Sequence, residues 1–203
     1  MDTVIQQAWE KGMSYQVYRD LVDMVVSEGK TTGPTQSDDL AHFTKLNASR
    51  MKRLDRTMVL NEELLGAIGA VKGPQAWLLI TEAWCGDAAQ IVPILAAMVK
   101  QNPLIKLRLI LRDENLEVMD RYLTRGGRSI PKLVVFDQEN GEELFSWGPR
   151  PSAAQEVRDD LYQQNPEVHY SEVNLVLQKW YNHDKGQQTQ RELLELLAPI
   201  SVP

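Results

Sequence analysis

The chain has 203 residues, of which 43% are hydrophobic and 25% are charged. This composition is typical of a globular protein that buries its own core, and it excludes an intrinsically disordered chain. The 28 acidic and 22 basic side chains give a formal net charge of -6, which disfavours nonspecific binding to nucleic acid or to an anionic membrane surface.

The first segment, MDTVIQQAWEKGMSYQVY, spaces its apolar residues as an amphipathic helix and lacks the pattern of a signal peptide. No apolar run in the sequence approaches the roughly 18 residues that a membrane span requires. The sequence therefore predicts a cytoplasmic protein without a membrane partner.

Helical spacing continues through the first third of the chain. Apolar residues recur over residues 4–26, with Ser14 as an N-cap inside that stretch, and Gly29, Gly33 and Pro34 then interrupt the pattern. A second helix follows a cap near Ser37, and its predicted inward residues are Leu40, Phe43, Leu46, Met51 and Leu54. A third helix covers residues 61–70 with Asn61 as its cap. These elements form a predicted helical extension, residues 1–72.

Strands enter the pattern after Gly73-Pro74. Four segments have the pattern of strands: the apolar run AWLLI, the alternating IKLRLIL, and the pair KLVVFD and EELFSW. The last two are predicted to form a hairpin joined by QENG. Helical patterns follow the first two strands: AAQIVPILAAMVKQ, with a kink expected at Pro93, and RDENLEVMDRYL, with Asp113 or Asn115 as its cap. Helices return over residues 150–203, so the second predicted domain is residues 73–203, and its pattern does not indicate which late helix packs on the hairpin.

The order of these elements, with the motifs AWCGDA, LRLILRDEN, GRSIPKLVVFD and NGEELFSWG, resembles the thioredoxin-like superfamily over residues 73–148. In particular it is similar to bacterial members that carry a single active-site-like cysteine and a helical N-terminal extension. The resemblance implies an α/β fold with a mixed central sheet flanked by helices, together with helical additions at both ends. It also implies that Pro131 is a cis-proline that lies against Cys85.

The chemistry of Cys85 follows from its expected place at the start of a helix. Backbone amides and the helix dipole there stabilise a thiolate and lower the thiol pKa, and Gly86 permits a tight turn that leaves the sulfur accessible. The carboxylate of Asp87 opposes the thiolate by like-charge repulsion, and the sequence does not rank the two effects. The alternative is that Cys85 is a small buried apolar residue.

Two departures from the thioredoxin pattern limit the chemistry. The usual second cysteine is replaced by Ala88, so another molecule would have to resolve a mixed disulfide, and the usual buried acid is replaced by Leu79. A lone thiol could exchange with a small thiol, could be oxidised to sulfenic acid by peroxide, or could have no redox turnover on a binding surface. The sequence favours the first route.

The segment RGGRSIP is expected beside the cysteine. The backbone of Ile130 could pair with an extended peptide, and Arg125 or Arg128 could attract a thiolate or a carboxylate. Each arginine could equally belong to a solvated basic loop, and Trp84 could line the site or cover the edge of the core. The basic cluster Arg50, Lys52, Arg53 and Arg56 is interpreted as a solvated helix face.

The sequence thus predicts monothiol thiol-disulfide exchange through Cys85 with a low-molecular-weight thiol or a protein thiol or disulfide, without metal or cofactor. The predicted substrate-binding residues are Trp84, Gly86, Asp87, Arg128, Ile130 and Pro131. The alternative is a redox-inactive thioredoxin-fold binding protein that uses the groove between Cys85 and the Pro131 loop. A third hypothesis has Cys85 ligating a metal or cluster between two copies.

Overall fold

The computed structural model describes the backbone of residues 1–201 and the side chains of residues 1–198. Four helices precede the first strand: α1 (Thr3–Lys11), α2 (Tyr15–Ser27), α3 (Asp38–Thr57) and α4 (Glu62–Ala70). The next elements are β1 (Gln75–Thr81), α5 (Gly86–Val99), β2 (Ile105–Leu111), α6 (Leu116–Met119), β3 (Lys132–Asp137) and β4 (Glu143–Trp147). Three helices complete the described chain: α7 (Ser152–Gln164), α8 (Tyr170–Asp184) and α9 (Gln187–Ser201). None of the described helices is long and apolar enough to cross a membrane.

The predicted helix caps of the N-terminal region are confirmed. Ser14, Ser37 and Asn61 each precede a helix, and their side-chain oxygens accept hydrogen bonds from backbone amides of the first turn. These bonds satisfy amide groups that have no partner within the helix, so the sequence signals the helix starts locally.

The sheet is mixed and has the strand order β2-β1-β3-β4. Strand β1 pairs in parallel with β2 and antiparallel with β3, and β3 and β4 form an antiparallel hairpin. Every residue of β1 is buried, which explains its continuous apolar sequence. On the edge strand β2, Leu109 exchanges two backbone hydrogen bonds of 2.8 Å with Met13. The predicted α/β fold is therefore confirmed.

A single hydrophobic core runs through both predicted regions. It joins Ile5, Tyr18 and Met51 of the first 72 residues to Trp77 of the sheet and Leu197 of α9. The N-terminal helices thus pack into the same core as the sheet. The division between residues 72 and 73 stays a prediction about chain organisation.

The inward face of α3 differs from the prediction. Leu46 is 39% exposed, whereas Thr44 and Asn47 are buried. The Thr44 hydroxyl pairs with the Thr31 hydroxyl at 2.6 Å, and Asn47 Nδ2 donates to the Ala83 carbonyl oxygen at 2.9 Å. Met51 and Leu54 are buried as predicted, and Thr44 and Asn47 join this face because they have partners in the loop before α3 and in the turn after β1.

The helix predicted over RDENLEVMDRYL is also shorter than expected. A 3₁₀ turn covers Arg112–Glu114, and α6 is a single turn. Asn115 occupies the N-cap position of α6 as predicted, but its side chain makes no capping hydrogen bond and Nδ2 instead donates to the Leu111 carbonyl oxygen at 2.8 Å. Asp113 forms an ion pair with Arg112.

The C-terminal helices divide between two positions. Helices α7 and α8 enclose a small apolar cluster of their own, which includes Ala154, Leu177 and Tyr181. Helix α9 packs against α4 and β4, and therefore it is the late helix that contacts the hairpin. The Glu192 carboxylate fixes this contact, because it accepts hydrogen bonds from Trp147 Nε1 at 2.8 Å and from the Ser152 amide at 2.6 Å.

Candidate functional site

Cys85 is the N-cap residue of α5. Its sulfur accepts a hydrogen bond from the Ala88 amide at 3.4 Å, and its thiol donates to the Ile130 carbonyl oxygen at 3.3 Å. The residue is only 8% exposed, so the prediction of an accessible sulfur is wrong. The donated bond to a carbonyl oxygen requires the protonated thiol.

The thiol pKa moves in the opposite direction to the prediction. Burial and the carboxylate of Asp87 raise the pKa of Cys85 to about 12, against the opposing effects of the Ala88 amide and Arg150. The helix-start effect that the sequence predicts is present. It is outweighed because an ion within a low-dielectric environment loses its hydration.

The Ile130-Pro131 peptide bond is cis, as the resemblance implied. The residue before this bond, Ile130, contacts the cysteine through its carbonyl oxygen, which accepts the hydrogen bond from the thiol. Pro131 itself is buried at the start of β3 and does not line the pocket beside the cysteine.

The predicted substrate-binding residues other than Pro131 meet in one pocket of about 350 Å³. We call this pocket the Cys85 groove. Its lining includes Trp84, Cys85, Gly86, Asp87, Arg128 and Ile130. The sequence did not anticipate the other contributors, among which are Phe43 of α3, Arg112, Arg150 and Tyr170 of α8. The helical additions before and after the sheet in the sequence therefore both supply part of the groove wall.

Three arginines line the Cys85 groove, and each has a carboxylate partner. Arg128 binds Asp120 through two hydrogen bonds of 2.6 and 2.8 Å, while Arg112 pairs with Asp113 and stacks over Trp84, with its Cζ 4.7 Å from the ring centre. Arg125 does not line the groove. It forms an ion pair with Asp159 of α7.

The third arginine, Arg150, takes part in a buried network that closes over the cysteine turn. Its Nη2 and Nε donate to Asp87 Oδ2 at 2.7 and 3.1 Å, and the Tyr181 hydroxyl donates to Asp87 Oδ1 at 2.7 Å. Asp87 therefore connects the turn to the C-terminal region, beyond its predicted role in shaping the turn. Because Arg150 and Tyr181 are 63 and 94 positions away, no local spacing in the sequence signals this network.

A second polar contact joins α8 to the same turn. Gln178 Nε2 donates to the Gly86 carbonyl oxygen at 3.1 Å, and Gln178 Oε1 accepts from Gln90 Nε2 at 2.7 Å. Both glutamines are buried. The first turn of α5 is thus covered by α8 and is not open to solvent on that side.

A buried acid lies on the N-terminal side of the turn, although not at position 79. Glu82 is fully buried, and its carboxylate accepts hydrogen bonds from the Asp113 amide at 3.0 Å and from the Thr32 hydroxyl. Burial raises the pKa of Glu82. Its position directly after β1 could be read from the sequence, whereas its burial depends on the distant loop before α3.

Within the side chains that the structure describes, no group of three or more histidine, cysteine or acidic residues is arranged to hold a metal ion. The hypothesis of a metal or cluster shared between two copies is not tested by a single chain.

Two solved structures are similar to this chain. One is a crystal structure of an HIV epitope-scaffold, with a TM-score of 0.62 and 16% identity, covering 96% of this chain and 97% of that chain. The other is a protein of unknown function from Pseudomonas aeruginosa, with a TM-score of 0.62 and 17% identity, covering 94% of this chain and 95% of that chain. At these identities the likeness shows the fold alone. No curated protein matches the chain significantly.

A family model described as Thioredoxin matches residues 33–162. The match begins in the loop before α3 and ends within α7, so it includes α3 and α4 as well as the sheet and the cysteine turn. It covers more than half of the chain. The chain therefore belongs to the thioredoxin family.

Proposed function

We propose that this protein is a redox-inactive binding member of the thioredoxin family and that it holds a protein partner in the Cys85 groove. The observation that carries the proposal is the state of the thiol. Cys85 is buried, donates a hydrogen bond to the Ile130 carbonyl oxygen and has a pKa raised to about 12.

A thiol in this state is a poor nucleophile at neutral pH. Because its pKa is raised well above neutral, the thiol is almost entirely protonated at pH 7. Arg150 does not serve as a free counter-ion, because its guanidinium is already bound to Asp87. Without a second cysteine in the chain, the protein also lacks an internal group to resolve a mixed disulfide.

The lining of the groove suits an extended peptide segment. Phe43 and Tyr170 lie with their ring centres 5.8 Å apart, and Trp84 is stacked with Arg112. Aromatic and arginine side chains of this kind are enriched where binding energy is concentrated in protein interfaces. A bound segment would fill the groove between the α3 and α8 walls.

The second candidate is the monothiol exchange that the sequence predicts. The observation in its favour is the hydrogen bond from the Ala88 amide to the sulfur, which would stabilise a thiolate once a partner displaced the Ile130 carbonyl. The thiolate would attack one sulfur of a partner disulfide, and the partner's other sulfur would leave as a thiolate that takes up a proton. An external thiol, as thiolate, would then attack the mixed disulfide and release Cys85, so the external thiol becomes the new disulfide partner.

Alkylation of Cys85 as a function of pH separates the two candidates. For the binding function we expect slow reaction of the native protein with iodoacetamide at pH 7, with no inflection below pH 10. The Cys85→Ser variant gives the background rate. An inflection at or below pH 8.5 would instead support exchange.

A partner capture experiment tests the groove itself. We expect wild type and Cys85→Ser to retain the same cellular protein, because the thiol takes no covalent part. Arg128→Ala should reduce retention, whereas Arg125→Ala, another ion-paired arginine that lies outside the groove, should not. A partner that is retained only by wild type, and is released by a reductant, would contradict the binding proposal.

A further inference from the structure

A second pocket, separate from the Cys85 groove, lies between the C-terminal end of α3, the middle of α5 and the turn that joins α8 to α9. It encloses about 430 Å³ and shares no lining residue with the groove. The volume is within the range of small-molecule sites. We call this pocket the α8–α9 pocket.

The walls of the α8–α9 pocket are apolar near its base. Leu54 of α3, Met58 at the end of α3 and Ile94 of α5 contribute aliphatic and thioether surface. Leu54 and Ile94 are almost completely buried, and Met58 is half-buried. An apolar chain placed here would remove further hydrocarbon surface from water, and this burial would favour binding.

The turn between α8 and α9 approaches this base closely. Lys185 and Gly186 both have left-handed backbone geometry, with φ angles of 55° and 80°. A Cβ atom at Gly186 would lie 2.8 Å from Ile94 Cδ1, so only glycine lets the turn pack at this distance. The geometry places Lys185 at the rim of the pocket, above the apolar base.

The rim carries positive charge without a compensating carboxylate. Arg53 and Lys185 are exposed lining residues, and no lining residue of the pocket is acidic. Among the described side chains neither cation forms a salt bridge, since Arg53 Nη1 donates only to the neutral Asn182 Oδ1, at 2.9 Å. The neighbouring Asp184 carboxylate accepts a hydrogen bond from the Gln188 amide at 3.1 Å. It therefore caps the first turn of α9 and does not pair with the rim cations.

We propose that the α8–α9 pocket binds a small amphipathic carboxylate, such as a medium-chain fatty acid. Its apolar chain would contact Leu54, Met58 and Ile94, and its carboxylate would lie between Arg53 and Lys185. A planar carboxylate matches the parallel N–H groups of a guanidinium, and this match favours a carboxylic acid over a neutral apolar ligand. The proposal uses no residue of the Cys85 groove and is independent of the proposed function.

Titration calorimetry with sodium decanoate tests the affinity, and decanol is the neutral comparator. We expect Arg53→Gln and Lys185→Gln each to weaken decanoate binding about threefold to fivefold, as for exposed charge pairs, and to leave decanol binding unchanged. Lys52→Gln is the matched control, because Lys52 is exposed on the same helix and does not line the pocket. Equal affinity for decanoate and decanol, or no measurable binding of decanoate, would overturn the proposal.

The location is tested by nuclear magnetic resonance with ¹³C-methyl methionine. We expect decanoate to shift the methyl signal of Met58, assigned with Met58→Leu, and to leave the signals of Met98 and Met119 unchanged because both are fully buried elsewhere. The two rim variants and the Lys52→Gln control all replace exposed residues and should keep the wild-type melting temperature. Binding that leaves the Met58 signal unperturbed would place the ligand elsewhere and overturn the assignment.

Discussion

At the scale of single residues, the thiol of Cys85 is subject to two opposing effects: a nearby amide would stabilise its thiolate, whereas its buried surroundings destabilise the thiolate. The Ala88 amide donates to the sulfur, as expected at a helix start. Burial and Asp87 oppose the anion and raise the thiol pKa to about 12. Burial carries the larger effect, because the covering residues remove the hydration that a thiolate needs.

This raised pKa predicts a pH dependence of stability. In the unfolded chain the thiol ionises near its ordinary value of 9.0, whereas in the folded protein it stays protonated up to about pH 12. The folded state therefore binds more protons between these values, and the free energy of unfolding falls as pH rises, by at most about 1.4 kcal/mol per pH unit. Urea titrations of wild type and Cys85→Ala at pH 8 and pH 10.5 measure this, and a difference between the two proteins that does not change with pH would contradict it.

The network around Asp87 gives a second residue-scale prediction. Asp87→Asn removes a negative charge that raises the pKa of Cys85, so we expect the alkylation inflection to move to lower pH. It also leaves the buried guanidinium of Arg150 without its carboxylate, which should lower the free energy of unfolding by about 3–5 kcal/mol. Asp120→Asn, at an exposed arginine pair, is the control and should leave the thiol unchanged.

At the scale of elements, α3 is oriented by polar contacts as much as by apolar ones. Thr44 and Asn47 face inward because Thr31 and Ala83 offer hydrogen-bond partners there. The apolar pattern alone favoured Leu46, which is exposed. A pattern of apolar spacing cannot identify buried polar residues, since their burial depends on partners that are distant in sequence.

Substitution of two adjacent residues, Leu46 and Asn47, tests which face of α3 is buried. We expect Asn47→Ala to destabilise the protein by about 1–3 kcal/mol, because the buried Ala83 carbonyl oxygen and Arg50 each lose a partner. Leu46→Ala should cost less than about 0.5 kcal/mol at its exposed position. Chemical denaturation of both variants measures the difference, and a larger loss for Leu46→Ala would show that the helix faces the other way.

The turn between α8 and α9 provides a matched pair of glycine substitutions. Gly186→Ala should lower the melting temperature, because its φ of 80° disfavours a side chain and the added Cβ would clash with Ile94. Gly66→Ala, in α4, meets open space and should raise stability by about 0.5–1 kcal/mol. Equal melting temperatures for both variants and wild type would contradict the close packing of this turn against α5.

At the scale of the whole molecule, one core unites the N-terminal helices, the sheet and α9. The edge strand β2 is covered by Met13, and α9 packs on both α4 and β4. Covering an edge strand removes a surface that could pair with another chain. The N-terminal extension is therefore part of the body that supports the sheet.

This arrangement predicts that α2 and β1 unfold together. Hydrogen exchange should give the amides of Val22 and Leu79, both in fully buried residues, the same free energy of opening. Helices α7 and α8 have a separate small core, so their amides should open at lower free energy. A distinctly lower value for Val22 than for Leu79 would instead make the N-terminal helices an independent unit.

The local architecture of the chain could be predicted from short stretches of the sequence. Apolar spacing and caps such as Ser14 and Asn61 are signals within a few residues, and they predicted the starts of α2 and α4 and the order of the strands along the chain correctly. The single cysteine and its place at the start of α5 also followed from the sequence, and the cis peptide bond before Pro131 followed from the family resemblance. These features could be predicted because each depends on neighbouring residues or on a short motif.

The protonation state of that cysteine depends on contacts between distant parts of the chain. Asp87, whose carboxylate raises the thiol pKa, is bound by Arg150 and Tyr181, which lie 63 and 94 positions later in the chain. A thiol pKa is set by desolvation and by charges that are close in space, and neither quantity is encoded in local spacing. The same reason explains why the α8–α9 pocket was not predicted: its walls combine residues of α3 and α5 with residues of α8 and α9, which lie much later in the sequence.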